Sequence, residues 1–322
     1  ATHDDALNFD GAVVGGDVFL TEGLTVHGEV SLKASTVGGN LACTESKFLN
    51  PSGTALSMDG ATVKGDITLN GEFRAEGDVR LNGIRLGGQL VCDRGSFVSG
   101  EGHALIAQGA VIEGDVFMRD CFTAEGEVQF RGASIGGQFG CRKGSFRNAG
   151  GSVLVGDGLR VAGNVFLDLG FEAEGTVFLP ALDVGAQLVC NGGTFANEGG
   201  MMMVLQGARV GDIFSWKEIG GGSRGHLNLE DARVNVLVDD VASWPKGEDR
   251  LILDGFEYGR LAGDAPLEAE KRLEWLERQK QDVVGFKPQP YEQLADVYDR
   301  MGHKEHARKV RIANRRAQKG VR

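Results

Sequence analysis

Four copies of one phrase, each 49 residues after the last, constrain this chain more than any other feature: VGGDVFL at 14, VKGDITL at 63, IEGDVFM at 112 and VAGNVFL at 161. VGDIFSW at 210 follows with one residue deleted. Gly28, Gly77, Gly126 and Gly175 keep the same step, and ALNFDGA from Ala6 matches ALSMDGA from Ala55. A fixed period decides architecture, because each unit buries its apolar face only against its neighbours.

Inside the unit, VKGDITL (63–69) slid by 23 residues lands on LGGQLVC (86–92), so each unit holds one coil of 23 and one of 26 residues. Val63, Gly65, Ile67 and Leu69 alternate with Lys64, Asp66 and Thr68, the two-residue period of a strand with one buried face. This predicts an all-β solenoid, a parallel β-helix of about 11 coils over residues 1–262. Nine coils are regular, from residue 6 to 219; two looser ones follow around HLNLEDARVNVLV and RLILDGFEYGRL. Leu24, Phe48, Phe73, Phe97, Phe122, Phe146, Phe171 and Phe195 recur every 24 or 25 residues and are expected to form one inward aromatic file.

The cysteines fit the same register. Cys43, Cys92, Cys141 and Cys190 share an inward column with Leu20, Leu69, Met118 and Leu167. With coils about 4.8 Å apart, successive cysteines lie about 9.6 Å apart, beyond the roughly 7 Å that a disulfide tolerates. They are expected as free thiols packed as small apolar groups, and the spacing also defeats a shared zinc site. Cys121 falls outside this column, in the outward register beside Phe122, and is the one thiol expected to react. An outward column of Asp17, Asn40, Asp66, Gln89, Asp115, Gln138, Asn164, Gln187 and Asp212 alternates carboxylates with amides. It reads as a stabilising ladder in which amides donate to both neighbours. A calcium ladder is the competing reading, but the glycine-aspartate nonapeptide that carries calcium in solenoids is missing.

Composition narrows the classes. Fifty-one glycines with only six prolines and no three-residue period exclude collagen. No run of about 18 apolar residues occurs to span a bilayer, and no charged-then-apolar leader opens the chain. Eight bases and one acid between 304 and 322 give that segment +7; the whole is −11, so the preceding 303 residues carry −18. An acidic body argues against nucleic acid as its partner. The start at Ala1 and the basic end at Arg322 read as those of an excised fragment.

Residues 263–322 turn helical. Asp264 is placed to cap and Pro266 to sit in the first turn of a helix over LEAEKRLEWLERQKQ. A second helix, PYEQLADVYDRM, lines up Tyr291, Leu294, Ala295, Tyr298 and Met301 and stops at Gly302. A third turns Ala307, Val310, Ala313 and Ala317 inward and Lys304, Arg308, Arg311, Arg315 and Lys319 outward. The last two resemble a single tetratricopeptide hairpin, whose expected job is to cap the open end of the β-helix. The basic stripe has three readings: a solvated face, attraction to anionic lipid, or nucleic acid, the last disfavoured because no aromatic residues interleave with the bases. Between solenoid and helices, VDDVASWPKGEDR sets Asp239, Asp240 and Trp244 together. They make a candidate carbohydrate cleft if the tryptophan is exposed, and an ordinary closing loop otherwise.

The GDVFL, AEGEV and IGGQ repeats with their cysteines, together with VLVDDVASWP, LDGFEY and QPYEQLADVYDRMGHKEHARKV, resemble a group of poorly characterised bacterial membrane-associated β-helix repeat proteins. They are often labelled membrane-associated oxidoreductases by automatic transfer. The resemblance covers nearly the whole chain and is most specific in the two C-terminal motifs. It implies tethering to a membrane, with an apolar segment following the basic helix beyond Arg322. It lends no support to redox chemistry, since the GG pairs open no helix and form no Rossmann-type phosphate loop. A weaker similarity is to bactofilins, short β-helices that polymerise end to end, from whose pattern the helical C-terminus departs.

The expected function is therefore a non-catalytic, membrane-tethered scaffold or protein-interaction module on the cytoplasmic face of a bacterial membrane. Bases beside a membrane segment favour that side, and free thiols fit a reducing compartment. Its partners are unknown proteins and an anionic membrane surface. No catalytic, cofactor-binding or metal-ligating residue is assigned and no cofactor is expected. The alternatives are a polysaccharide lyase or glycosidase, for which only residues 239–258 offer an irregular coil, and a bactofilin-like structural protein that self-associates through its N-terminal coil.

Overall fold

The computed structural model describes residues 5–246, 250–263, 265–279 and 286–320. The alternating segments form short parallel strands stacked coil on coil, a β-solenoid of about ten turns, and three helices follow. One sheet, twelve-stranded among the described residues, gives each coil one long rung. Eleven-residue strands Lys47–Ser57, Ser96–Ile106, Ser145–Val155 and Thr194–Val204 alternate with seven-residue strands Arg74–Arg80, Thr123–Gln129 and Glu172–Phe178. This alternation is the physical form of the 26- and 23-residue coils: the extra residues bulge outward, and the register shifts there, as between Glu76 and Val79.

In the regular coils the second sheet is made of two-residue strands, such as Thr62–Val63 and Ile67–Thr68, on either side of each glycine bend; in the last coils its strands lengthen to Arg209–Trp216, Arg233–Asp239 and Glu257–Leu261. Val63 pairs with Leu86 and Leu86 with Ile112, so inward side chains file directly over one another. At the first bend position stacking demands glycine in every second coil, over Lys64, Glu113 and Ala162. A Cβ on Gly136 or Gly185 would collide with the carbonyl oxygen of Glu113 or Ala162 in the preceding coil.

The aromatic file is present, with ring centroids 5.2–5.5 Å apart from Phe48 to Phe195. Its construction is less uniform than the spacing suggests. Phe48, Phe97, Phe146 and Phe195 pair through the backbone with Ala75, Ala124 and Ala173, while Phe73, Phe122 and Phe171 stand two residues earlier. Each alanine leaves the room that its neighbouring ring fills. Leu24, at the first position, is only partly buried. Beyond Phe195 the file continues through Trp216, Trp244 and Trp275 at 5.3, 6.2 and 5.2 Å.

Trp275 belongs to α1 (Ala269–Leu276), which is followed by α2 (Gln289–Arg300) and α3 (Lys304–Gly320). α1 is shorter than its composition suggests. Pro266 precedes it, and Asp264, expected as its cap, lies outside the described residues. The lead-in carbonyls are taken by side chains: Tyr298 donates to that of Leu267 and Arg272, from α1 itself, to that of Pro266. After α1, Gln279 bridges in parallel to Leu251 on the sheet edge. α2 and α3 form the expected hairpin, with Tyr291, Leu294, Ala295, Tyr298, Ala307 and Val310 buried and Gly302 ending α2 at φ +84°. Ala313 is only partly buried, and Asn314 takes the deeper place.

α2 closes the last rung, Glu257–Leu261. Gln289 accepts from Gly255 N–H, Gln293 donates to the Tyr258 carbonyl at 2.7 Å, and Arg300 donates to the carbonyls of Tyr258 and Gly259. Side chains of the helix thus occupy backbone groups to which another strand could otherwise add.

Candidate functional site

The acids and tryptophan of VDDVASWP do not form a cleft. Asp239 ends the strand Arg233–Asp239 facing inward and is fully buried. Both its oxygens receive Arg272 of α1, at 2.6 and 2.7 Å, and Trp244 Nε1 donates to the same carboxylate at 2.6 Å. Arg272 is itself buried; burial works against its charge, but the hydrogen bonds and charge of Asp239 prevail and raise its pKa. Trp244, expected as an exposed sugar-stacking ring, is 1% exposed and sandwiched between Trp216 and Trp275. Alternation along the strand explains the reversal: with Asp239 inward, Asp240 turns outward and the two carboxylates part.

Asp240 serves as a turn anchor. It accepts from Ser243 N–H and hydroxyl at 2.8 and 2.7 Å and from Glu218 N–H at 2.8 Å. Burial opposes its charge, but these donors prevail and hold its carboxyl below the usual value. Beside this turn is a cavity of 210 Å³ lined by Met202, Gly220, Arg224, Ser243, Trp244 and Arg250; of the three candidate residues Trp244 reaches it, while Asp239 and Asp240 do not. Arg224 leans toward Glu198 at 3.6 Å.

The basic stripe of α3 is divided by its neighbours. Lys304, Arg308, Arg315 and Lys319 are exposed. Arg308 is within 3.6 Å of Glu305, an ion pair that solvent weakens. Arg311, expected among the outward bases, instead turns to α2 and bonds Asp296 at 3.0 Å and Asp299 at 2.6 Å. Those acids, one helical turn apart on α2, pair with it at the surface, where its side chain stays 43% exposed.

The recurrent polar column works by a different bond from the one expected. A side-chain oxygen accepts the backbone N–H one coil on: Asp17 from Asn40, Asn40 from Asp66, Asp66 from Gln89, Asp115 from Gln138, Asn164 from Gln187, at 2.7–3.2 Å. One amide-to-carboxylate bond joins it, Gln89 to Asp115 at 3.3 Å. Carboxylate and amide are interchangeable here because both present an acceptor oxygen. Among the described residues, no group of three or more His, Cys, Asp or Glu side chains is placed to hold a metal ion.

Cys43, Cys92, Cys141 and Cys190 are free and fully buried, and Cys121 is free and exposed. Burial pushes the Cys43 thiol up to about 12 and raises the other three. A thiol held protonated is a poor nucleophile, so these are packing groups. Three features had no counterpart in the sequence reading: the Asp239–Arg272 pair, the tryptophan extension of the aromatic file, and an arginine-lined groove on the second sheet. No helix among the described residues is long and apolar enough to cross a membrane. Comparison with family models, with curated proteins and with solved structures finds no match to this chain.

Proposed function

We propose that this protein is a non-catalytic scaffold: a rigid solenoid that presents binding faces and is held by its basic helix at the anionic, cytoplasmic surface of a bacterial membrane. One observation carries the reading. Asp239 and Trp244, which would have formed a reactive cleft, are fully committed to locking α1 onto the solenoid. The recurrent polar column is likewise committed to coil-to-coil bonds. What solvent meets is a stiff surface and, at one end, the exposed bases Lys304, Arg308, Arg315 and Lys319.

Co-sedimentation with phosphatidylserine vesicles, with phosphatidylcholine vesicles as reference, tests the membrane part. Each base near an anionic surface contributes about 1 kcal/mol, so changing Arg308, Arg315 and Lys319 to Gln weakens binding roughly a hundredfold. Wild-type protein that ignores lipid charge, or a triple variant that binds equally, contradicts it.

A further inference from the structure

On the outer face of the second sheet an open groove of 510 Å³ runs along the solenoid axis up to α2. It adjoins a groove of 420 Å³ through shared Asp183 and Gly185. Exposed Gly185, Gly211 and Gly259 line it. One wall is the outward column Arg160, Asp183, Arg209, Arg233 and Glu257, in which each residue pairs directly with the next. Opposite charges alternate along this wall except at one step, where Arg209 faces Arg233. Like charges facing one another on adjacent strands are destabilising.

The surroundings compensate that step only on one side. Arg233 leans to Glu257 at 3.3 Å, while Arg209 has no carboxylate partner among the described residues. A third guanidinium arrives from α2, where Arg300 lies over the Tyr258 and Gly259 carbonyls. Stacking does not require this charge, since Thr36, Thr62, Val111 and Ser134 fill the same column in earlier coils. In a body carrying −18 between residues 1 and 303, three arginines from three separate segments converge on one groove.

We propose that this groove binds a carboxylate-rich peptide segment of a partner protein, with Arg209, Arg233 and Arg300 pairing its acidic side chains. This rests on the scaffold reading and supplies the chemistry of the partner. Guanidinium forks match carboxylates with two parallel hydrogen bonds. The adjoining groove, with exposed Val111 and small Ala162 and Gly136, takes less polar parts of the same segment. Nucleic acid and oligosaccharide fit less well, because Tyr258, the only aromatic side chain lining either groove, is 3% exposed and offers no stacking face.

The test measures fluorescence polarisation of the full chain with a labelled peptide of alternating glutamate and serine. A glutamine-serine peptide, a heparin fragment and a single-stranded oligonucleotide serve as comparisons. The glutamate peptide is expected to bind, and to bind more weakly as salt rises. R209Q/R233Q weakens it about tenfold or more, while R85Q, which removes an arginine of the same column outside the groove, leaves it unchanged. A matching thermal midpoint for R209Q/R233Q shows that the loss is not unfolding. No preference for glutamate over glutamine, an equal loss in R85Q, or tighter binding of heparin or oligonucleotide overturns the assignment. Vesicle sedimentation of the same proteins separates the two readings: intact lipid binding without peptide binding removes the groove and leaves the membrane part standing.

Discussion

In the coils up to Val204, the main stabilising contacts recur coil after coil. Phenylalanines meet at 5.2–5.5 Å in coil after coil, and Asp or Asn oxygens accept the same backbone N–H group of the next coil. At the junction with the helices each contact occurs once: one buried Asp239–Arg272 pair, and three tryptophans in place of the phenylalanine file. Repetition spreads stability over modest, mutually replaceable terms, as expected of a one-dimensional stack. The junction concentrates it in a pair whose two members cannot be removed separately, because a lone buried charge is far costlier than the pair.

The sharpest way to break this comparison is at the junction. Asp239→Ala strands the Arg272 charge inside the protein and is expected to destabilise by about 3–5 kcal/mol in chemical denaturation, with α1–α3 becoming protease-sensitive before the coils. Asp239→Leu combined with Arg272→Met recovers most of that loss. Recovery separates a buried-charge penalty from simple loss of packing; its failure would mean that the cap depends on the ion pair itself. In the regular coils a single lesion is expected to do less. Phe97→Leu keeps an apolar group but loses ring contacts to Phe73 and Phe122, each worth about 0.5–1.5 kcal/mol, so about 1–3 kcal/mol in all by denaturant midpoint. A loss as large as that of Asp239→Ala would show that the file is as indivisible as the junction.

The same contrast explains what the sequence made legible. The solenoid, the aromatic file and the buried cysteines were readable because each position is sampled once or twice per 49 residues, so chance neighbours average out. The polar column was readable as a ladder but not in its main bonding, since alternating Asp and amide residues suggest side-chain donors while the structure relies mostly on their shared oxygen acceptor, with Gln89 to Asp115 the one amide donation. The junction was misread because it has no second copy. Trp216, Trp244 and Trp275 follow Phe195 at intervals of 21, 28 and 31 residues, which breaks the 24–25 step that identified the file. Asp239 meets Arg272 across 33 residues, a pairing that no local pattern marks. Arg311 stays on the solvent side as helical periodicity indicates, but its surface pairing with Asp296 and Asp299 on the neighbouring helix is marked by no pattern within α3.

The central claim is that successive coils lie in register, so that one sulfur column is sealed inside the solenoid while Cys121 alone stays outside. Maleimide labelling of the native protein near pH 8, read by peptide mass spectrometry, addresses it directly. Burial keeps the Cys43, Cys92, Cys141 and Cys190 thiols protonated well above that pH, so a single adduct on Cys121 is expected, rising to five after denaturation. Native labelling of two or more of the four, or a disulfide joining any two of them, would contradict the stacked arrangement and the functional reading built on it.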